Sequence, residues 1–349
     1  MNAEWKSFLE AAGGRCDSPD GVTFGTPRAE TRAAARGDVV CALPNLSLIA
    51  ATGADALAFL NSQLTNDLRL IDHAHSQLSA YCTAKGRILA LLRIFRRAEG
   101  YCLVMPAALE ESTLKRLRMF VMRSKVTLES KDNELACIGC SGPTIGAALE
   151  RLAGSVPGDV DGVQANGEAT ILRLAGPQPR FLVTAGIARA MELWNKLVVS
   201  ATPAGSGAWS WLDIMAGTPT VLPATVEEFV PQHVNLELIG GVSFKKGCYP
   251  GQEIVARMQY LGKPKQRMQR LHLAADVPVA AGDKIYAPDL PGQSAGVDVE
   301  AQPAPEGGTD LLAVVQLTSV AAGELHLHRA DGPRAELRPL PYSVATSAE

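Results

Sequence analysis

Apolar and polar positions alternate along most of this chain in short runs. From Val39 the stretch VVCALPNLSLIAATG gives two strand-like runs broken at Pro44-Asn45, and Leu57, Phe59, Leu60 and Leu64 then fall on one face of a helix. SQLSAYCTAKGRILALLRIFRR predicts a hairpin turning through Thr83 to Arg87, and Tyr101 to Met105 continues its sheet. Pro106 opens a helix through Leu109, Leu114, Leu117 and Phe120. The same order then recurs: strands at Val126 to Leu128 and Glu134 to Cys140, a helix over Pro143 to Leu152, a hairpin of Ala169 to Leu174 with Phe181 to Thr184, and a helix over Ile187 to Val199. The recurrence predicts two α+β modules. Past Lys263, short strands at Arg270 to Ala275, Asp283 to Tyr286, Leu311 to Leu317 and Glu324 to His328 predict a small antiparallel barrel or sandwich. Residues 1–37, rich in turn formers and small residues, read as a peripheral arm. Trp209 and Trp211 stand two apart, so an extended strand would put them on one face, where they could stack a planar heterocycle or fill a core.

Composition narrows the function classes. Apolar residues are 47% and charged residues 20% of 349 positions, which excludes a disordered chain. A net charge of −3 excludes a basic footprint over the whole chain, so any polyanion must meet a local patch. The most basic stretch, Lys115 to Lys125, is the only sequence support for a nucleic-acid contact. No secretion signal opens the sequence and no window approaches 18 consecutive apolar residues, so a cytoplasmic protein without membrane spans is expected. Seven scattered cysteines fit reduced thiols. Cys137 and Cys140 lie at odd separation in a strand-like run, which turns them to opposite sheet faces, and no metal site is expected.

The densest chemistry lies in Lys245 to Arg257, KKGCYPGQEIVAR. A thiol beside two ammonium groups has a larger thiolate fraction than an isolated one, and Gly247 and the Pro250-Gly251 pair punctuate the backbone around it; a polar loop leading into a helix, with Cys248 a small buried apolar residue, is the alternative. The Gln63 to Asp67 cluster reads on its own as a helix-end cap.

Lys246-Gly247-Cys248-Tyr249 followed by Gly251-Gln252-Glu253 resembles the signature of the YgfZ-type folate-binding proteins, relatives of the aminomethyltransferase of the glycine cleavage system. Gln63 to Asp67, Ala84 to Arg87, Arg123 to Val126, Phe229 to Gln232, Asn235-Leu236, Gly241 to Lys245 and Pro339 to Tyr342 extend the resemblance over nearly the whole length. It implies an α+β fold: an aminomethyltransferase-like folate-binding ring of two modules, approximately 38–125 and 126–265, with a small C-terminal β-barrel at 266–344.

The resemblance further implies a tetrahydrofolate-binding accessory protein for the assembly or repair of iron–sulfur enzymes, including tRNA-modifying ones. Its partners would be iron–sulfur proteins or their assembly machinery, with tRNA resting only on the basic stretch. Cys248 and Lys246 would carry the chemistry; Trp209, Asn66, Lys85, Tyr249, Gln252, Glu253 and Arg257 would contact the folate. A second aromatic present in some members corresponds to Leu46. In the aminomethyltransferases a strand carries two adjacent aspartates near the folate's reactive nitrogen; the matching positions are Ala90 and Leu91. Losing a charge aimed at developing charge commonly costs about 10²–10³ in rate, so glycine-cleavage activity is not expected. The alternative is a folate-dependent one-carbon transferase with Cys248 as nucleophile.

Overall fold

The computed structural model describes residues 1–18, 21–98, 100–262 and 264–344. Its helices are α1 (Ala3–Ala11), α2 (Pro27–Arg36), α3 (Ala56–Gln63), α4 (Glu110–Val121), α5 (Ile145–Ala153), α6 (Ile187–Leu197), α7 (Ser206–Ala216), α8 (Gln252–Tyr260) and α9 (Leu317–Ala322). Two compact units divide the chain. The first takes Met1–Asn61, Leu68–Leu78 and Leu92–Leu212; the second takes Ser62–Asp67, Ser79–Leu91 and the chain from Asp213 onward.

In the first unit a six-stranded sheet runs Val163–Asn166, Ala169–Leu174, Arg180–Gly186, Leu135–Ser141, Val39–Ala42 and Thr202–Ala204. Its central strand Leu135–Ser141 is buried at every position, which is why its sequence is a continuous apolar run instead of an alternation. α6 repeats Ile187, Ala190, Leu193, Trp194 and Leu197 at helical spacing and buries that stripe. The same core takes Trp5 and Leu9 of α1 and Val22. Residues 1–37 are therefore not a peripheral arm: the Trp5 ring meets Trp194 edge-on at 6.2 Å between centroids. α2 is fastened as well, because the buried Glu30 carboxylate accepts from the amides of Phe24 (2.6 Å), Gly25 (2.8 Å) and Gly205 (2.8 Å).

A five-stranded sheet runs Gln77–Cys82, Ile88–Arg97, Gly100–Pro106, Leu46–Thr52 and Thr127–Ser130. The two sheets exchange strands relative to the sequence order of the modules. Val39–Ala42 pairs with Leu135–Ser141, and Thr127–Ser130 pairs with Leu46–Thr52. Backbone edges pair wherever the chain brings them together, so sequence proximity alone does not set module membership.

The second unit contains a closed barrel in the order Gln266–Leu273, Thr309–Gln316, Ser294–Pro303, Lys284–Tyr286, Leu325–Leu327 and Arg334–Arg338. Four of its strands match the expected ones. Ser294–Pro303 and Arg334–Arg338 were not legible, since a bulge between Asp298 and Glu300 breaks one alternation and charged residues crowd the other. Among the described residues no helix is long and apolar enough to cross a membrane.

Candidate functional site

The Lys245 to Arg257 stretch lies in the second unit and forms a loop leading into α8. Its anchor is the short segment after α3. Thr65 donates its hydroxyl to the Gly241 carbonyl (2.8 Å) and accepts from the Ala80 amide (2.8 Å). Asn66 donates Nδ2 to the Gly240 carbonyl (2.6 Å), and its own amide donates to the Ser79 hydroxyl (3.0 Å). The Ser243 amide donates to the Thr65 carbonyl at 3.0 Å. Lys246 completes the brace: its buried ammonium donates to the carbonyls of Leu64 (2.5 Å) and Asn66 (2.8 Å). The Gln63 to Asp67 cluster, read alone as a cap, is thus a clamp on a loop about 180 residues later.

Lys246 also stands over the Tyr249 ring, 5.2 Å from its centroid, and burial pushes the Tyr249 phenol up. The clamp leaves Gly247 and Cys248 exposed between two buried residues, Lys246 and Tyr249. Cys248 is the exposed thiol of the seven. Cys41, Cys82, Cys102, Cys137 and Cys140 are buried, and desolvation raises each of them, Cys82 and Cys102 to about 12. Cys16 is half-buried.

Gly251 opens α8 at φ +82°, and a Cβ there would lie 2.5 Å from the Thr83 carbonyl and from the Gly86 Cα. The helix start therefore rests on the Thr83 to Arg87 turn, which presents Lys85 to solvent. Gln252 reaches back toward the carbonyls of Lys246 (3.5 Å) and Gly247 (3.4 Å), while Glu253 and Arg257 are exposed. Beneath α8, Gln232 donates to the Val255 carbonyl (2.7 Å) and Asn235 to the Met268 carbonyl (2.9 Å). These bonds tie the Pro231 to Leu236 segment to the helix and to the first barrel strand. Ala90 and Leu91 are buried, so no carboxylate stands at the positions of the aminomethyltransferase pair.

Trp209 lies in the first unit, apart from this constellation in the chain, and its setting differs from the expected strand. It sits on α7 with Trp211, where a separation of two turns their side chains to different faces. Its ring packs onto Gly139, whose missing side chain makes the room: a Cβ there would collide with the six-membered ring. The Arg180 guanidinium covers the ring 3.8 Å from its centroid, and Arg180 also donates to the Trp209 carbonyl at 3.3 Å. Trp209 is a core residue with a cation over its face. Leu46 begins a strand.

Sequence reading missed Thr65 and Ser79 as members of the clamp, as well as Arg180. Small hydroxyls carry no periodic signal, and their partners lie up to 176 residues away. Among the described residues no group of three or more His, Cys, Asp or Glu is placed to hold a metal ion.

Residues 19–164 match the family model described as the GCVT N-terminal domain. Over 318 residues the chain is 32% identical to the tRNA-modifying protein YgfZ of Escherichia coli O7:K1 (strain IAI39 / ExPEC), covering 91% of this chain and 97% of that protein. The YgfZ protein of Escherichia coli strain SMS-3-5 / SECEC matches with the same identity and coverage, 32% over 318 residues. The glycine cleavage system aminomethyltransferase T from Bartonella henselae superposes with a TM-score of 0.76 at 18% identity, over 98% of this chain and 97% of that one, so the two share a fold.

Proposed function

The chain belongs to the family of tRNA-modifying YgfZ proteins, and from that premise we propose that it is a tetrahydrofolate-binding accessory protein. It acts through the Cys248 loop in the assembly or repair of iron–sulfur enzymes, those that modify tRNA included. The observation that carries this reading is the exposed Cys248 thiol on a loop braced by the buried Lys246. A braced loop presents its thiol in one geometry to an incoming protein without ordering cost at the moment of contact. One thiolate does not hold a cluster by itself, so a cluster bond here would be shared with a partner.

The residues assigned to folate divide into two groups. Lys85 and Arg257 are exposed cations that suit the carboxylates of a folate glutamate tail. Asn66, Tyr249 and Gln252 are engaged with the loop, Glu253 is exposed beside it, and Trp209 is buried with the Arg180 guanidinium over its ring. Bound folate would supply one-carbon chemistry; this chain's residues hold its tail and position the thiol.

Kinship of fold with an aminomethyltransferase favours a second reading, a one-carbon transferase with Cys248 as nucleophile. It lacks the electrostatic partner, since Ala90 and Leu91 are apolar and buried. Turnover of methylene- or formyl-tetrahydrofolate by the pure protein would decide for it.

In cells deprived of the native protein, Cys248→Ala is expected to leave dependent iron–sulfur enzymes inactive, while the purified variant melts with wild type. Full rescue of those enzymes by the variant rejects the role. Alkylation of Cys248 is expected to change rate on adding tetrahydrofolate; an unchanged rate removes folate from the mechanism of the loop.

A further inference from the structure

The C-terminal end of α4 and the turn after it combine two surface properties that rarely coincide. Met119, Phe120 and Met122 are exposed by 62%, 45% and 87%. Around them Lys115, Arg116, Arg118, Arg123 and Lys125 bring five cations within eleven residues that contain no acid. Among the described residues none of the five forms an ion pair with a carboxylate. The nearest acid along the following strand, Glu129, is paired with Lys131 at 3.3 Å. Arg118 is used internally, donating to the Leu128 carbonyl at 2.6 Å, which leaves Lys115, Arg123 and Lys125 as exposed charges.

The turn is held in place. The Lys125 amide donates to the Asp55 carboxylate (2.7 Å), and the Asp55 amide donates back to the Lys125 carbonyl (3.3 Å). Met122 ends the helix at φ +44° and ψ −103°, a conformation unfavourable for a side chain of its size, and one that leaves it exposed. Strain of this kind persists where the surrounding structure fixes it. An exposed aromatic ring flanked by thioethers, with unpaired cations on a fixed turn, is the chemistry of a stacking platform for an unpaired base with phosphates beside it. The chain as a whole is acidic, at −3, so a polyanion has to find such a patch.

We propose that the α4 ridge, Lys115 to Lys125, is a docking surface for a single-stranded or looped segment of RNA, with Phe120 stacking a base and Lys115, Arg123 and Lys125 contacting phosphates. The proposal rests on the reading that this chain serves tRNA modification, and it places the RNA contact on the first unit, on residues other than those of the Cys248 loop.

The test uses the full-length protein, a fluorescently labelled tRNA transcript and anisotropy across a salt series. Phe120→Ala is expected to weaken binding about five- to a hundredfold, and Phe120→Tyr to restore it. Arg123→Gln with Lys125→Gln is expected to lower the slope of log affinity against log salt by about one to two. Because these side chains face solvent, melting should stay at the wild-type value. Wild-type affinity in all variants overturns the proposal, as does absence of tRNA binding by the wild type. Binding of phosphatidylglycerol vesicles through the same residues, with tRNA ignored, also overturns it. If the ridge variants bind tRNA normally while Cys248→Ala still fails in cells, this surface falls and the proposed function stands; if the ridge binds RNA while Cys248→Ala rescues fully, the reverse holds.

Discussion

Single residues acquire their roles from what surrounds them, and Trp209 shows this most sharply. An aromatic at that position was legible as either a stacking surface or core. In the fold it is buried, 4% exposed, packed on Gly139 with Arg180 over the ring. Trp209→Ala is expected to cost about 3–5 kcal/mol in urea unfolding, from lost burial and the cavity left behind. An unchanged midpoint would show that the ring is not packed. Lys246 is the converse case. Sequence placed it beside the thiol as an activating charge; its ammonium is instead buried on two backbone carbonyls, where it fixes the loop that carries Cys248. Lys85, Lys245 and Arg257 are exposed cations of this region.

Elements matter here through how they start and stop. α8 begins at Gly251 without a side-chain cap, in a left-handed conformation pressed against the Thr83 to Arg87 turn. Gly251→Ala adds about 1–2 kcal/mol for the left-handed backbone alone, before its contact with the turn is relieved. The expected result is a lowered melting temperature and faster proteolysis between Lys245 and Arg257; resistance equal to wild type would separate the helix start from the loop. The hairpin Gln77–Cys82 with Ile88–Arg97 was legible because alternation and a Gly-containing turn are local signals. The bulged strand Ser294–Pro303 was not, because a bulge shifts the alternation out of phase.

At the scale of the whole molecule, proton uptake on unfolding links pH to stability. His233 in the second unit is held near pKa 4, chiefly by burial, with Arg87 and Arg267 adding to the effect. It stays neutral in the fold, while the unfolded chain protonates it below about 6.5. Its contribution is thus fully present above 6.5, is lost progressively as pH falls toward about 4, and levels off below that. His233→Gln is expected to flatten the melting temperature over that window relative to wild type; parallel curves would show that another group carries the dependence.

The sequence by itself determined the α+β class, the barrel, most strand and helix positions and the family, because periodicity, turn chemistry and the Lys246 to Glu253 signature are written in consecutive residues. It also singled out the cysteine that is exposed. Tertiary structure alone decided why that cysteine is exposed and what its neighbours do. The clamp joins Leu64 to Asn66 with Gly240 to Lys246, the seat of α8 joins Gly251 with Gly86, and Trp209 packs with Gly139 and Arg180. Each of these is a contact between short polar or glycine-bearing segments far apart in the chain. Such contacts are selected by shape and hydrogen-bond geometry, and those leave no period in the sequence.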